Sequence, residues 1–478
     1  MLTAAMSRHT TFRYCLDPTV EQLSSLARHA GAARFAFNRC LQLHLLARRA
    51  HKRQTAVPVP WTGFDLINAF NGWKKTAHAG RIITVDSSGS ADVTATGLAW
   101  RNSVCQQVFE ESAVDCGRAL KAWTDSRRGK RTGPRIGHPR FKRKGRGLPS
   151  FRVRNKSPRK PTIRVGDGQR PRSVTVPGLG VIAVRDDTRR LRRLLGSGRA
   201  NVLFATISQR AGRWWISINV EAADMHPAMQ HAPRPQGDSG GWVGVDRGLS
   251  AFAVSAAGDG TACERFTDHP KPLTSGQRRQ RYLARAVTRK EKGSHNRRKA
   301  AARLGKHHYH IANIRRHFLH KVSNQLVKTH DRLVIEDLNV QGMLCNRSLA
   351  RAISDAGWAE FARQLAYKQQ WRGGALVRAH RWYPSTKTCS TCGCTRADLR
   401  LHERVFTCYT CGAALDRDLN AAINLATWAE QHSAQVRDPQ AGGPVINAHR
   451  QSRSGRHLRV GETGLNDVGT DVRPASAI

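Results

Sequence analysis

Two short apolar runs that each stop at an acid, with a third acid at the head of an Ala-rich stretch, constrain this chain more than any other feature. Trp242-Val243-Gly244-Val245 reads as a buried strand ending at Asp246, and Leu333-Val334-Ile335 as a second ending at Glu336. Asp418 stands in Asp416-Arg417-Asp418-Leu419-Asn420-Ala421-Ala422, where a turn passes into a helix. Acids at strand ends and at a helix start can converge on one point while the hydrophobic core holds them rigid. Such a set of hard oxygen ligands suits Mg²⁺. Two of these ions about 4 Å apart can clamp the attacking and the leaving oxygen of a phosphodiester.

Between the second and third acids lies a second ligand pattern. Cys389-Ser-Thr-Cys392 and Cys408-Tyr-Thr-Cys411 are separated by 15 residues. That spacing fits one closed, tetrahedral, structural Zn²⁺, since a catalytic zinc would need an open position. Cys394 is a fifth thiol and reads as a bystander. The rival pairing into two disulfides conflicts with a reducing compartment. A ribbon this small buries little, so the metal should supply its folding energy. It ends a few residues before Asp418, so losing zinc should displace that acid too. Cys15, Cys40, Cys105, Cys116 and Cys263 show no paired spacing and read as free core thiols.

The charge balance narrows the function classes. The chain has 478 residues, enough for roughly two to four domains. It carries 80 Lys and Arg against 34 Asp and Glu, a formal net charge of +46. Self-repulsion of that size calls for a polyanionic partner, so the chain reads as nucleic-acid binding with salt-sensitive affinity. A merely solvated basic surface is the alternative, and the clustering of the charge argues against it. Residues 127–160 hold 15 Lys and Arg and no acid, with Phe141 and Phe151 interleaved. This stretch can follow a phosphate backbone and stack on bases; a basic linker is the other reading. Residues 277–321 hold 15 more against one acid. They read as long helices whose stripe Ile311, Ile314, Phe318, Val322 and Leu326 is core and whose basic face can meet phosphates. No long uncharged apolar stretch and no apolar signal core is present, which predicts a cytoplasmic or nucleoid protein without a membrane partner.

Residues 11–16 alternate as a strand, and Thr19 caps a helix running to about Arg49. Leu23, Leu26, Ala30, Ala33, Phe37 and Leu41 form its apolar face, and a break at Gly31 allows a helix-turn-helix. Residues 51–62 and 76–97 read as loops. Residues 98–124 read as a helix burying Trp100, Val104, Val108, Ala119 and Trp123. Between 161 and 222 short strands with Gly and Pro punctuation suggest a small barrel that the N-terminal strand can join. Residues 223–240 read as a linker and 242–255 as a hairpin connected through Arg247-Gly248-Leu249, after which Gly258-Asp259-Gly260 turns the chain back. Residues 357–371 read as an amphipathic helix with Trp358, Phe361 and Leu365. Beyond about 432 the polar, Gly-rich sequence reads as disordered.

Four stretches carry a family resemblance: Gly244-Val-Asp-Arg-Gly-Leu249, Val334-Ile-Glu-Asp-Leu-Asn-Val-Gln-Gly-Met343, Arg381-Trp-Tyr-Pro-Ser-Thr-Lys-Thr-Cys-Ser-Thr-Cys-Gly393 and Cys411-Gly-Ala-Ala-Leu-Asp-Arg-Asp-Leu-Asn-Ala-Ala422. In order and spacing they resemble the TnpB (OrfB) proteins of bacterial insertion sequences, relatives of the type V CRISPR effectors. Phe12 to Asn38 looks like that family's helix-turn-helix segment. The resemblance spans about residues 8–430.

It implies an α/β multidomain fold. An RNase H-like (RuvC) nuclease domain would occupy 241–385 and 416–431, with a zinc ribbon inserted at 386–415. A wedge β-barrel would take its first strand from 1–18 and the rest, with the basic arm, from 127–222. A helical recognition module at 19–126 would be inserted in that barrel, with a linker at 223–240 and a disordered tail at 432–478. It further implies a guide RNA from the transposon end and Mg²⁺-dependent cutting of double-stranded DNA that pairs with the guide beside a short motif. By position, Asp246, Glu336 and Asp418 correspond to the family's catalytic acids. Asp418 is chosen over Asp416 because the family's acid immediately precedes x-Asn-Ala-Ala. Asp337 would point to the other side of its strand. A guide-directed repressor and a strand-joining transposase are the competing functions; three intact acids argue against the first, and the resemblance, not the residues alone, favours cleavage over the second.

Overall fold

A computed structural model describes residues 6–432 apart from 55, 86–88, 90, 132, 158–159, 168, 236 and 401. The tail expected to be disordered lies outside the described residues. The chain divides into two compact α/β units, with the break between Asp224 and Met225.

The first unit opens with β1 (Met6–Asp17) and α1 (Val20–Arg53). Thr19 and Gln22 close a reciprocal capping box at the head of α1. The helix runs unbroken through Gly31. One glycine costs a helix only about 1 kcal/mol, and the flanking Ala30, Ala32 and Ala33 are buried, so packing overrides the expected break. The apolar face begins at Leu26, because Leu23 is 43% exposed. Next come α2 (Gly63–Trp73), a hairpin of β2 (Arg81–Val85) and β3 (Ala91–Thr96), and α3 (Gln106–Arg127). The hairpin lies in the segment read as a loop; exposed Ile83 and Val93 leave it no buried face to betray it. Trp100 precedes α3 in a short 3₁₀ turn, partly exposed, with its ring edge-on to Phe35.

The chain then forms β4 (Ser150–Arg154), β5 (Arg164–Asp167), β6 (Arg170–Val176), β7 (Gly180–Val184), α4 (Arg189–Gly196), β8 (Ala200–Arg210) and β9 (Arg213–Ala223). One seven-stranded antiparallel sheet results, in the order β4-β8-β9-β1-β7-β6-β5. The N-terminal strand therefore sits at its centre, with Tyr14 opposite Ile216 and Leu16 opposite Val184. No ladder joins β4 to β5. Instead Asn155, just after β4, accepts the backbone N–H groups of Thr162 and Ile163 just ahead of β5.

The basic stretch is partly absorbed by this fold. Phe151, expected to stack on bases, lies on β4 at 3% exposure and packs against the His29 ring. Its pairing with β8 is non-local, so composition could not reveal it. Buried Glu111 on α3 forms ion pairs with Arg152 and Arg154. Among the described residues the segment before β4 forms no helix or strand, yet Asn38 holds both backbone groups of Lys142 at 2.7 and 2.9 Å. Phe141 stays exposed.

The second unit contains β10 (Val243–Asp246), β11 (Ala253–Ala257), β12 (Glu264–Phe266), α5 (Pro272–Ser275), α6 (Gln277–Thr288), α7 (His295–Thr329) and β13 (Arg332–Glu336). It continues with α8 (Val340–Met343), α9 (Ala350–Ala356), α10 (Trp358–Trp371), β14 (Ala375–Ala379), β15 (Val405–Thr407), β16 (Ala414–Asp416) and α11 (Arg417–His432). Five strands form a mixed sheet in the order β12-β11-β10-β13-β14. The first three are antiparallel and β10, β13 and β14 run parallel.

Strand alternation divides its side chains between two faces. Val243, Val245, Leu333 and Ile335 pack with Leu326 of α7 and Phe361 of α10. On the other side, Val334 packs with Leu425 and Ala429, and Val254 and Ala256 with Ala422 and Ile423, all from α11. The residues preceding β10 pack on this unit, with Arg234 paired to Asp331 and Asp238. Among the described residues no helix is long and apolar enough to cross a membrane.

Candidate active site

The parallel register sets Val243, Gly244 and Val245 opposite Leu333, Val334 and Ile335. Asp246 and Glu336 therefore end neighbouring strands on the same edge. Alternation turns both toward the face that carries α11, along with Gly244 and Val334. Gly244 brings the third acid in. A side-chain carbon there would run into the carbonyl oxygen of Ala422, so only glycine lets α11 lie this close to β10. Asp418 occupies the first turn of α11. A Cβ on Gly248 would lie 3.9 Å from its Oδ2, which fixes Asp418 beside the loop that follows Asp246.

Asp246 and Asp418 are 6% and 8% exposed. The Asp246 carboxyl is held well above the usual carboxylate range. Burial is the largest cause, followed by the charges of Glu336 and Asp418; Arg247 opposes them through its charge and its backbone N–H. Asp246 thus sits among acids whose charge calls for positive charge beside them, and Arg417 brings some of it, 3.7 Å from Asp418 Oδ1. Arg247 only partly supplies it. Its guanidinium is buried, which lowers it to about 10, and it donates to the backbone oxygens of Glu336 and Trp358. It ties the strand ends together as well as offsetting part of the acids' charge. Ser385, itself buried, donates from Oγ to Glu336 Oε1 at 2.7 Å.

The two neighbouring acids do other work. Asp416 Oδ1 accepts the N–H groups of Asp418 and Leu419 at 3.0 Å each and pairs with Arg265, so it caps α11. Asp337 pairs with Arg381 at 2.9 Å and Arg378 at 3.7 Å. The oxygens of Asp246, Glu336 and Asp418 do not close on one point. Among the described residues, only the four thiols form a set of three or more metal-binding side chains within 4.8 Å of one another.

Sγ of Cys389 and Cys411 are 3.7 Å apart, and those of Cys392 and Cys408 3.5 Å. A tetrahedron with metal–sulfur bonds of about 2.3 Å has edges of about 3.8 Å, so this set fits a zinc-sized ion. The two knuckles repeat one turn. Gly393 and Gly412 follow the second cysteines at φ +78° and +72°, and each donates its N–H to the carbonyl of Cys389 or Cys408. Fully buried Phe406 is the core between them. The Cys394 thiol stands outside the set; its backbone carbonyl accepts from Cys389 N–H and its own N–H donates to the Cys392 sulfur.

Helix α11 grips the first knuckle. Asn420 accepts from the N–H of Ser390 and donates to Thr388 O; Asn424 donates to the carbonyls of Ser385 and Thr388. The helix that carries Asp418 is thus bonded to the thiol cluster's loop. Ser385, Asn420, Asn424, Gly244 and Arg247 escaped the sequence reading as functional residues. Two asparagines inside an Ala-rich, otherwise apolar helix face were the signal available.

Residues 218–347 match the family model OrfB of IS605, described as "Probable transposase". Residues 358–425 match "Cas12f1-like, TNB domain", and residues 6–53 match "Helix-turn-helix domain", although here they form β1 and the unbroken α1. A Mycobacterium tuberculosis (strain ATCC 25618 / H37Rv) protein named as a "Putative RNA-guided DNA endonuclease" is 33% identical over 443 residues, covering 91% of this chain and 88% of its own. "Putative RNA-guided DNA endonuclease InsQ" of Escherichia coli (strain K12) is 30% identical over 475 residues, covering 95% and 97%. Among solved structures, a mini-RNA-guided endonuclease, CRISPR-Cas_phi3, covers 89% of this chain and 93% of its own, at 11% identity and a TM-score of 0.46. A Cas12f1–sgRNA–target DNA complex covers 88% and 99%, at 11% identity and a TM-score of 0.31.

Proposed function

The chain belongs to the OrfB (TnpB) family of insertion-sequence proteins, and from that premise we propose that it is an RNA-guided DNA endonuclease. The observation that carries the reading is the Asp246–Glu336–Asp418 cluster, in which Asp246 and Asp418 are buried and the charges of Glu336 and Asp418 help hold the Asp246 carboxyl well above the usual range. These three acids would hold Mg²⁺, which when bound supplies an activated water and steadies the leaving 3′ oxygen. Ser385 orients the Glu336 carboxylate, Arg247 locks the strand ends, and Asp416 caps the helix that presents Asp418.

The second unit is best read as a RuvC-like, RNase H-type nuclease at 241–385 and 416–431. Its ribbon at 386–415 would hold one structural Zn²⁺ on Cys389, Cys392, Cys408 and Cys411. The first unit is read as a wedge barrel carrying the helical module. Its basic segment, with the cations of α6 and α7, would hold guide RNA and the RNA–DNA duplex by their backbones while base pairing selects the target. The guide would come from the transposon end.

The test is to purify the complex from cells that express the gene with its flanking transposon end. A plasmid library with guide-matched targets and randomised flanks is then exposed to it in Mg²⁺. Cutting with one enriched flank is expected. Bound RNA without cutting would instead indicate a guided binding factor. Absence of RNA would point to a transposase or a simple DNA-binding protein.

A further inference from the structure

Beside Glu336 the second unit opens into a cavity of about 320 Å³ whose wall includes Glu336, Asn339, His380, Arg381 and Trp382. Trp382 is 80% exposed, the most exposed large hydrophobic side chain among the described residues. Its exposure does not come from a slack loop. The next residue, Tyr383, donates its hydroxyl to Asn424 O at 3.1 Å and packs its ring against Trp428. Two residues further on, Ser385 bonds Glu336. The backbone on that side of Trp382 is pinned to α11 and to the acid cluster while the indole is held outward.

Cations flank it. Arg378 and Arg381 are both about half exposed and are oriented by Asp337, which neutralises only part of their combined charge. A flat aromatic face, two oriented guanidiniums and a wall shared with Glu336 match one nucleotide: a base on the ring and a phosphate by the arginines.

Resting on the nuclease reading above, we propose that Trp382 is a stacking platform for one nucleobase of the DNA strand being cut, and so a positioning residue for the phosphodiester that reaches Glu336. Stacking on an aromatic face tolerates any base, as a cut site chosen by guide pairing requires.

The experiment uses the full chain loaded with guide RNA and measures single-turnover cutting of guide-matched DNA in Mg²⁺. Wild type, Trp382→Ala and Trp382→Phe are compared on intact DNA and on substrates with one abasic nucleotide stepped along each strand near the cut. Trp382→Ala is expected to cut about 5- to 150-fold more slowly, with Trp382→Phe within about threefold of wild type. Target binding and the thermal midpoint should be unchanged in both. One abasic position should slow the wild type by as much, and slow Trp382→Ala no further. Wild-type cutting by Trp382→Ala would overturn the proposal. So would abasic losses that are equal in the wild type and Trp382→Ala at every position, since the tryptophan would then serve folding or a protein contact. A wild-type complex that binds guide but cuts nothing would overturn the nuclease reading, and this proposal with it.

Discussion

The four thiols and the three acids belong to the same unit but are built by opposite means. The thiols lie on two short loops around a minimal core of Phe406, Cys389 and Cys408. Their sulfurs already close on one point. The acids come from β10, β13 and α11 and are held by a two-faced sheet and by the close approach at Gly244. They repel one another and do not close. A metal would therefore have a different task in each place: at the thiols it would substitute for a core, and at the acids it would supply charge to a frame that the core has already built.

The largest effect that could break this comparison is metal removal. A strong zinc chelator, or Cys408→Ser, should unfold residues 389–411 and slow cutting by at least about 100-fold, because Asn420 and Asn424 lose partners on the first knuckle. Hydrogen exchange should show that loss while β10 and β13 keep their protection. Withdrawing Mg²⁺ alone should stop cutting reversibly and leave exchange unchanged everywhere. A ribbon that stays protected without zinc would erase the distinction.

Next in size is Gly244→Ala. The added carbon must push α11 away from β10, so thermal or urea unfolding should show a loss of about 3 kcal/mol. Cutting should fall with it as Asp418 moves from Asp246. Wild-type stability would mean that the helix approach does not set the site. Ser385→Ala should be milder, about 1 kcal/mol or fivefold in cutting rate, since it removes one hydrogen bond to Glu336. Equal rates would show that the Glu336 carboxylate is positioned by the strand alone.

The smallest effect on cutting belongs to the helix layer behind the sheet. Burial lowers Lys368 to about 8 from 10.5, and its Nζ donates to Ser323 Oγ and His320 O. The folded state thus binds fewer protons than the unfolded one between about pH 8 and 10.5. Its burial penalty is complete below pH 8 and is relieved as pH rises through that window. The relief is at most about 3 kcal/mol. Urea unfolding across that range should show the wild type gaining stability relative to Lys368→Met, with neutral-pH cutting equal in the two. A flat difference would show that the amine stays solvated.

Sequence legibility followed the same division. Cys-x-x-Cys spacing and apolar runs ending in Asp246 and Glu336 are local signals, and they stand in the structure as knuckles and strand ends. The choice of Asp418 over Asp416 rested on resemblance; the cap that Asp416 forms became visible only with the helix start in place. What stayed hidden was tertiary. Phe151 is buried by a partner strand far along the chain, Gly31 is carried through by packing, and the β2–β3 hairpin exposes the side chains that would have marked it. Ser385 and the two asparagines act through carbonyls and carboxylates on other elements, which no spacing rule can assign.

Asp246→Ala in the guide-loaded complex tests the central claim most directly, with Mg²⁺-dependent cutting and target binding measured side by side. Cutting should vanish, by at least about a thousandfold, while RNA and target DNA stay bound at wild-type affinity. Cutting near the wild-type rate would contradict the assignment of the acid cluster as the reacting centre.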